Sequence, residues 1–151
     1  MSQRNPPFRL VFASGEEQVR QALGRLLDSL EPRPVCEEDR SKVELVLGEI
    51  LNNVVEHAYG EDCAGPIRLT CRFNGRDLRF CVCDSGRALP GLSLPPGRLP
   101  DLDCDREDLP EGGFGWFLVR SLTSDLSYAR RRGCNVLTFR VGLSGSVSPG
   151  G

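Results

Sequence analysis

The apolar residues of this chain change their period at Gly65-Pro66. Before that point they recur in steps of three and four. Val19, Leu23, Leu26, Leu27 and Leu30 form one set, and Val43, Val46, Leu47, Ile50, Leu51 and Val54 a second. Each is the stripe that one face of an α-helix presents. After Pro66 they alternate, Ile67, Leu69, Cys71 and Phe73 being separated by Arg68, Thr70 and Arg72, which is the pattern of a strand with one buried face. Striped helices and one-sided strands bury their apolar surfaces by layering, with helices on one face of a sheet.

The punctuation between these segments sets their order. Phe8 to Phe12 alternate weakly and read as a short strand, and Ser14-Gly15 before Glu16 and Glu17 predicts a capped helix start. Pro32 and Pro34 end that helix, and the second runs from about Glu37 to Tyr59. Asn74-Gly75 turns the first long strand back into Leu78, Phe80 and Val82, up to Asp84. Residues 87 to 111 are rich in proline, glycine and aspartate without sustained periodicity, and such a length is expected to form a lid rather than a passive connection. A short helix then opens at Gly112-Gly113-Phe114-Gly115 and runs through Leu122, and a hairpin of Leu126–Tyr128 and Asn135–Val141 closes the chain. The expected fold is an α/β sandwich, with a mainly antiparallel mixed sheet and helices on one face. Its 151 residues suit one core, spanning 8–141 between flexible termini at 1–7 and 142–151.

Composition excludes several function classes. No apolar run approaches the roughly 18 to 20 residues of a membrane span, and MSQRNPPFRLVFA has no apolar core after its basic start, so a cytoplasmic location is expected. Cysteines stand at 36, 63, 71, 81, 83, 104 and 134, an odd number with no CxxC pair, which predicts reduced and mostly buried thiols. A net charge of −2 and pI near 5.5 disfavour a nucleic-acid partner. Arg130, Arg131 and Arg132 are expected at a solvated hairpin turn. Lys42 is the only lysine and His57 the only histidine. No GxxxxGK[ST] phosphate loop exists, and any Ser-His-Asp or Cys-His site has His57 at its centre.

Three short elements carry chemistry. On the second helix Glu49, Asn53 and His57 stand four residues apart, each rotated only about 40° from the last, so they share one stripe beside the apolar face. Asp84-Ser85-Gly86 stands at a strand end. Gly112-Gly113-Phe114-Gly115 opens a helix, where unpaired backbone N–H groups and the positive end of the helix dipole suit phosphate oxygens. Taken singly, each is also what an exposed polar stripe or a plain turn looks like.

Together, in this order, they resemble the N, G1 and G2 boxes of the GHKL (histidine kinase-like) ATPase superfamily. Within it the chain is similar to the anti-sigma factor serine/threonine-protein kinases of bacteria, in EGGFGWFLVRSLTSDLSY and in GCNVLTF, over roughly residues 8 to 141. The resemblance implies the Bergerat ATPase fold with ATP and Mg²⁺ as cofactors. It makes Asn53 the Mg²⁺ ligand and Glu49 the base that orients an attacking hydroxyl. Asp84 would accept a hydrogen bond from the adenine amino group, and Gly86 would let the backbone pass close to the base. Gly112, Gly113 and Gly115 would form the hinge and phosphate-binding edge of the lid, and His57 would line the ATP pocket. The function implied is partner switching: sequestering a sigma factor and phosphorylating a serine of a STAS-type anti-anti-sigma antagonist, as a homodimer, with no direct nucleic acid or membrane contact. Two departures stand out. Ala88 replaces a second glycine in DSGRA, and no arginine lies between Glu111 and Phe114. A two-component histidine kinase shares the boxes but needs a separate phosphoacceptor histidine. A nucleotide-binding module without kinase activity has no need of Glu49.

Overall fold

The computed structural model describes residues 6–60, 63–95 and 113–144. In chain order these form β1 Phe8–Ala13, α1 Glu16–Leu30, α2 Glu37–Asn53, a π-helical segment Val54–Tyr59, β2 Pro66–Phe73 and β3 Asp77–Asp84. A 3-10 turn at Pro90–Leu92, α3 Gly113–Leu122, β4 Ser124–Arg131 and β5 Cys134–Gly142 complete the order. The strands make one sheet in the order β1-β2-β3-β5-β4, antiparallel at every pairing. Alternation puts Ile67, Leu69 and Cys71, then Leu78, Phe80 and Val82, then Leu137, Phe139 and Val141 on one buried face. Against it α1 packs Val19, Ala22, Leu26 and Leu30, and α2 packs Val43, Val46, Leu47, Ile50 and Leu51. Phe80 and Phe139, paired in register, stack with ring centroids 5.0 Å apart. This is the expected α/β sandwich, and none of the described helices packs on the other face of the sheet.

Ser14 does not cap α1. Gly15 is the N-cap and provides no side chain. The Ser14 hydroxyl instead accepts a hydrogen bond from Gly65 N at 3.1 Å, while Ser14 N donates to Gly65 O at 3.0 Å. The serine fastens the end of β1 to the start of β2, and the acidic first turn, Glu16 and Glu17, answers the helix dipole.

The chain beyond β5 is held further than residue 142. Leu143 is buried, and Ser144 Oγ donates at 3.0 Å to Asp39, a wholly buried carboxylate in the first turn of α2. Cys36 Sγ at 3.2 Å and Lys42 Nζ at 3.5 Å also reach this carboxylate. Residues 1–5 and 145–151, and most of the expected lid, lie outside the described residues.

Thiol burial is also corrected. Of the cysteines described, only Cys71 is buried; Cys36, Cys81, Cys83 and Cys134 are half-buried and Cys63 is exposed, all of them free. Strand alternation sends Cys81 and Cys83 to the open face, where their sulfurs lie 3.6 Å apart. Burial pushes the Cys71 thiol up to about 12. Burial first and then the Cys81 thiol push Cys83 up to about 11. Both stay protonated near neutrality and are poor nucleophiles. Among the described residues no helix is long and apolar enough to cross a membrane.

Removing the Phe139 ring strips the core of its stacked pair. Phe139→Ala is predicted to cost about 3–5 kcal/mol in urea denaturation; a loss below about 1 kcal/mol would contradict this packing.

Candidate functional site

Glu49 and Asn53 are half-buried on the last turns of α2, next to the core residues Ile50 and Leu51. Beyond Asn53 the helix widens. Its segment Val54–Tyr59 is π-helical and ends with Gly60 N donating to Val55 O at 3.0 Å, Gly60 adopting φ 77°. The wider turn rotates the side chains after Asn53 relative to an α-helical continuation. The uninterrupted α-helical stripe expected from Glu49 to His57 is therefore corrected: only its first two members share regular α-helix. His57 still faces the same space, with its side chain 54% exposed and Nε2 3.9 Å from Glu56 Oε2.

That space is a cleft of about 410 Å³, with Glu49, Asn53 and His57 along one side and Gly115, Trp116 and Val119 of α3 along the other. A Cβ at position 115 would stand 2.4 Å from Glu49 Oε2, so α3 comes this close to the carboxylate because Gly115 has no side chain. Among the described residues neither the Glu49 carboxylate nor the Asn53 amide has a hydrogen-bond partner. Both are hard oxygen donors, and no group of three or more His, Cys, Asp or Glu among the described residues could cage a metal. The Asn53 oxygen fits Mg²⁺, which takes one or two protein oxygens and fills its remaining positions with water and phosphate, and it leaves the Glu49 carboxylate for other chemistry.

Next to the cleft, a loop is fixed on the end of β3. Asp84, 6% exposed, accepts at Oδ1 from Gly86 N at 2.9 Å and from Asn135 Nδ2 at 2.8 Å. Its Oδ2 takes no hydrogen bond from the described residues. Asn135 is fully engaged: Nδ2 also donates to Arg87 O at 2.8 Å, and Oδ1 accepts from Tyr128 OH at 2.6 Å and Arg130 Nη1 at 3.0 Å. Arg130 reaches Gly86 O at 2.6 Å, and Tyr128 OH accepts from Leu89 N at 3.0 Å. From the other side Tyr59 OH accepts from Ser85 N at 2.8 Å and donates to Pro66 O at 2.6 Å, while Arg87 N donates to Ala58 O at 2.7 Å. A Cβ at Gly86 would lie 2.4 Å from the Ala58 carbonyl oxygen. The loop thus touches the π-helical backbone directly.

The structure brings Glu49, Asn53, His57 and Gly115 into one cleft. Asp84 and Gly86 are not on its lining; they sit at the adjoining end of the same helical segment, joined to it through Ala58. Gly113 is the first residue of α3, and Gly112 lies outside the described residues. Sequence reasoning missed Asn135, Tyr59, Tyr128, Arg130 and Trp116. One signal was available: Asn135 occupies the inward register of Leu137, Phe139 and Val141, where a polar side chain needs a partner. The solvated-turn expectation holds for Arg132, which with Gly133 makes the turn at φ 50° and 77°. Arg130 is corrected, since it lies in β4 opposite Asn135.

The two close-approach glycines should respond differently to one methyl group. At Gly86 it overlaps backbone, and Gly86→Ala is predicted to destabilise by about 1–3 kcal/mol. At Gly115 it meets the tip of a flexible side chain, and Gly115→Ala is predicted to be near neutral in stability while displacing the Glu49 carboxylate. Urea denaturation of both variants checks this, and equal costs would refute the distinction.

The family model for the histidine kinase-like ATPase domain matches residues 12–141. Over 101 residues the chain is 37% identical to the serine/threonine-protein kinase BtrW of Bordetella bronchiseptica, covering 66% of this chain and 68% of that one. It is 30% identical over 101 residues to the serine-protein kinase RsbW of Bacillus mycoides, covering 66% and 62%. Its fold matches that in the crystal structure of the RsbU and RsbW domains of Rv1364c from Mycobacterium tuberculosis, with a TM-score of 0.64 at 18% identity, covering 92% of this chain and 32% of that one. The chain belongs to the histidine kinase-like ATPase domain family, in the branch that includes the serine-protein kinases BtrW and RsbW.

Proposed function

We propose that this chain is an ATP-dependent serine-protein kinase and anti-sigma factor of the cytoplasm, working by partner switching. In one state it sequesters a sigma factor; in the other it phosphorylates a serine of a STAS-type anti-anti-sigma antagonist, acting as a homodimer. The observation that carries this reading is the placement of Glu49 and Asn53, both without side-chain partners among the described residues, in one cleft against Gly115.

The residues divide the work. Asp84 Oδ1 is occupied by Gly86 and Asn135, which fixes the carboxylate and leaves Oδ2 to accept from the adenine amino group. Gly86 keeps the loop thin enough for the base to lie against it. His57 contacts the nucleotide from the rim of the cleft. The start of α3, with Gly113 and Gly115, would offer backbone N–H groups to the phosphates, as would Gly112 before it in the sequence. Asn53 would hold Mg²⁺, which when bound would offset charge on the phosphate oxygens. Glu49 orients the acceptor serine hydroxyl and takes its proton as the oxygen attacks the γ-phosphorus and the bond to ADP breaks. General-base help of this kind contributes about 10²- to 10⁴-fold in rate. A nucleotide-binding anti-sigma module without transfer is the alternative, favoured by the absence of an arginine between Glu111 and Phe114.

Transfer of labelled phosphate to a STAS-domain antagonist, measured beside Mg-ATP binding, tests the assignment. Glu49→Ala is predicted to abolish transfer and leave binding largely intact; equal loss of both would make Glu49 structural. Asp84→Ala is predicted to weaken nucleotide binding by about tenfold or more, from a lost hydrogen bond of order 1–3 kcal/mol. Binding by the wild-type chain with no phosphoserine formed would favour the alternative.

A further inference from the structure

The same alternation that builds the core sends six arginines to the sheet face that none of the described helices covers: Arg9 from β1, Arg68 and Arg72 from β2, Arg79 from β3, Arg131 from β4 and Arg140 from β5. Two aspartates, Asp77 and Asp125, share that side of the molecule. Six against two leaves +4, on a chain whose total is −2, so the remainder carries −6.

The arrangement is specific. Arg72, Arg79 and Arg140 stand directly opposite one another across three adjacent strands, where like charges oppose pairing. Both aspartates are committed to Arg140, at 3.2 Å and 2.5 Å, and Arg79 reaches Asp77 only at 3.6 Å. Among the described residues Arg9, Arg68, Arg72 and Arg131 have no acidic partner, and Arg140 Nε is buried without a hydrogen bond. A groove of about 340 Å³ runs along this row, lined also by Thr70 and Thr138.

We propose that this open face is a docking surface for an acidic helical segment of a partner protein. Neighbouring strands lie about 5 Å apart, so the row presents guanidinium groups at nearly the interval of glutamates at i and i+4 on a helix, about 5–6 Å. Planar guanidinium groups bind carboxylates through paired hydrogen bonds. A second copy of the chain would set arginines against arginines. A nucleic acid would meet a local positive face but a remainder of −6, which opposes a long polyanion. This surface is separate from the cleft and does not rest on the kinase reading.

A fluorescent alanine-based helical peptide carrying glutamates at i, i+4 and i+8, titrated with the full chain at low salt and followed by anisotropy, is the test. The wild type binds, and Arg72→Glu/Arg79→Glu loses at least about tenfold in affinity with unchanged circular dichroism. Arg9→Glu, on the exposed edge strand, gives a smaller loss in the same direction. Arg20→Glu/Arg25→Glu, an equal charge change on α1, keeps most of the binding. Equal loss in both double variants, no binding by the wild type, or tighter binding of duplex DNA of equal charge would each overturn the proposal. So would sedimentation showing that Arg72→Glu/Arg79→Glu splits a dimer that the wild type forms.

Discussion

Asp84 is a nearly buried carboxylate at the end of a strand, and the molecule has to satisfy it. It does so with Asn135, whose position directly opposite is set by the β3–β5 register. That register also stacks Phe80 on Phe139 and aligns Val82 with Leu137. A slip of one residue would turn Asn135 outward and leave Asp84 buried without its partner. Core packing and site geometry therefore depend on one alignment, and a sheet that fails to form it loses both.

Helix α2 carries the other half of the site and is held at both ends. Its first turn is tied to the segment just after β5 by buried Asp39 and Ser144. Its far end runs into the π-helical segment, which turns the Ala58 carbonyl toward Gly86 and the Tyr59 hydroxyl toward Ser85. Glu49 and Asn53 lie between these anchors, so their direction is fixed by backbone on either side while their side-chain polar atoms are uncommitted among the described residues. The proposed binding of a cation and a phosphate ester in this cleft calls for that combination of rigid stems and free oxygens.

Much of this was legible because it is local or periodic. The stripes of α1 and α2, the alternation of β2 and β3, the Asn74-Gly75 turn and the spacing of Glu49 and Asn53 all act within a few residues of each other. What escaped depends on distance along the chain. Ser14 looks like a cap until Gly65, fifty-one residues away, claims its hydroxyl. Arg130 looks like part of a basic turn until Gly86 O and Asn135 are brought to it. The widening after Asn53 leaves no mark in the composition, because Val54–Tyr59 reads equally well as α-helix. Cys81 and Cys83 read as core residues by type, yet strand parity places them on the open face.

The central claim, that Asp84 presents one free oxygen to an adenine amino group, is tested most directly by calorimetric titration of the chain with ATP and with GTP, each in Mg²⁺. Guanine turns a carbonyl oxygen toward Asp84 where adenine turns an amino group. ATP is predicted to bind saturably and GTP at least about tenfold more weakly. Equal affinities, or no ATP binding at roughly millimolar concentrations, would contradict the assignment.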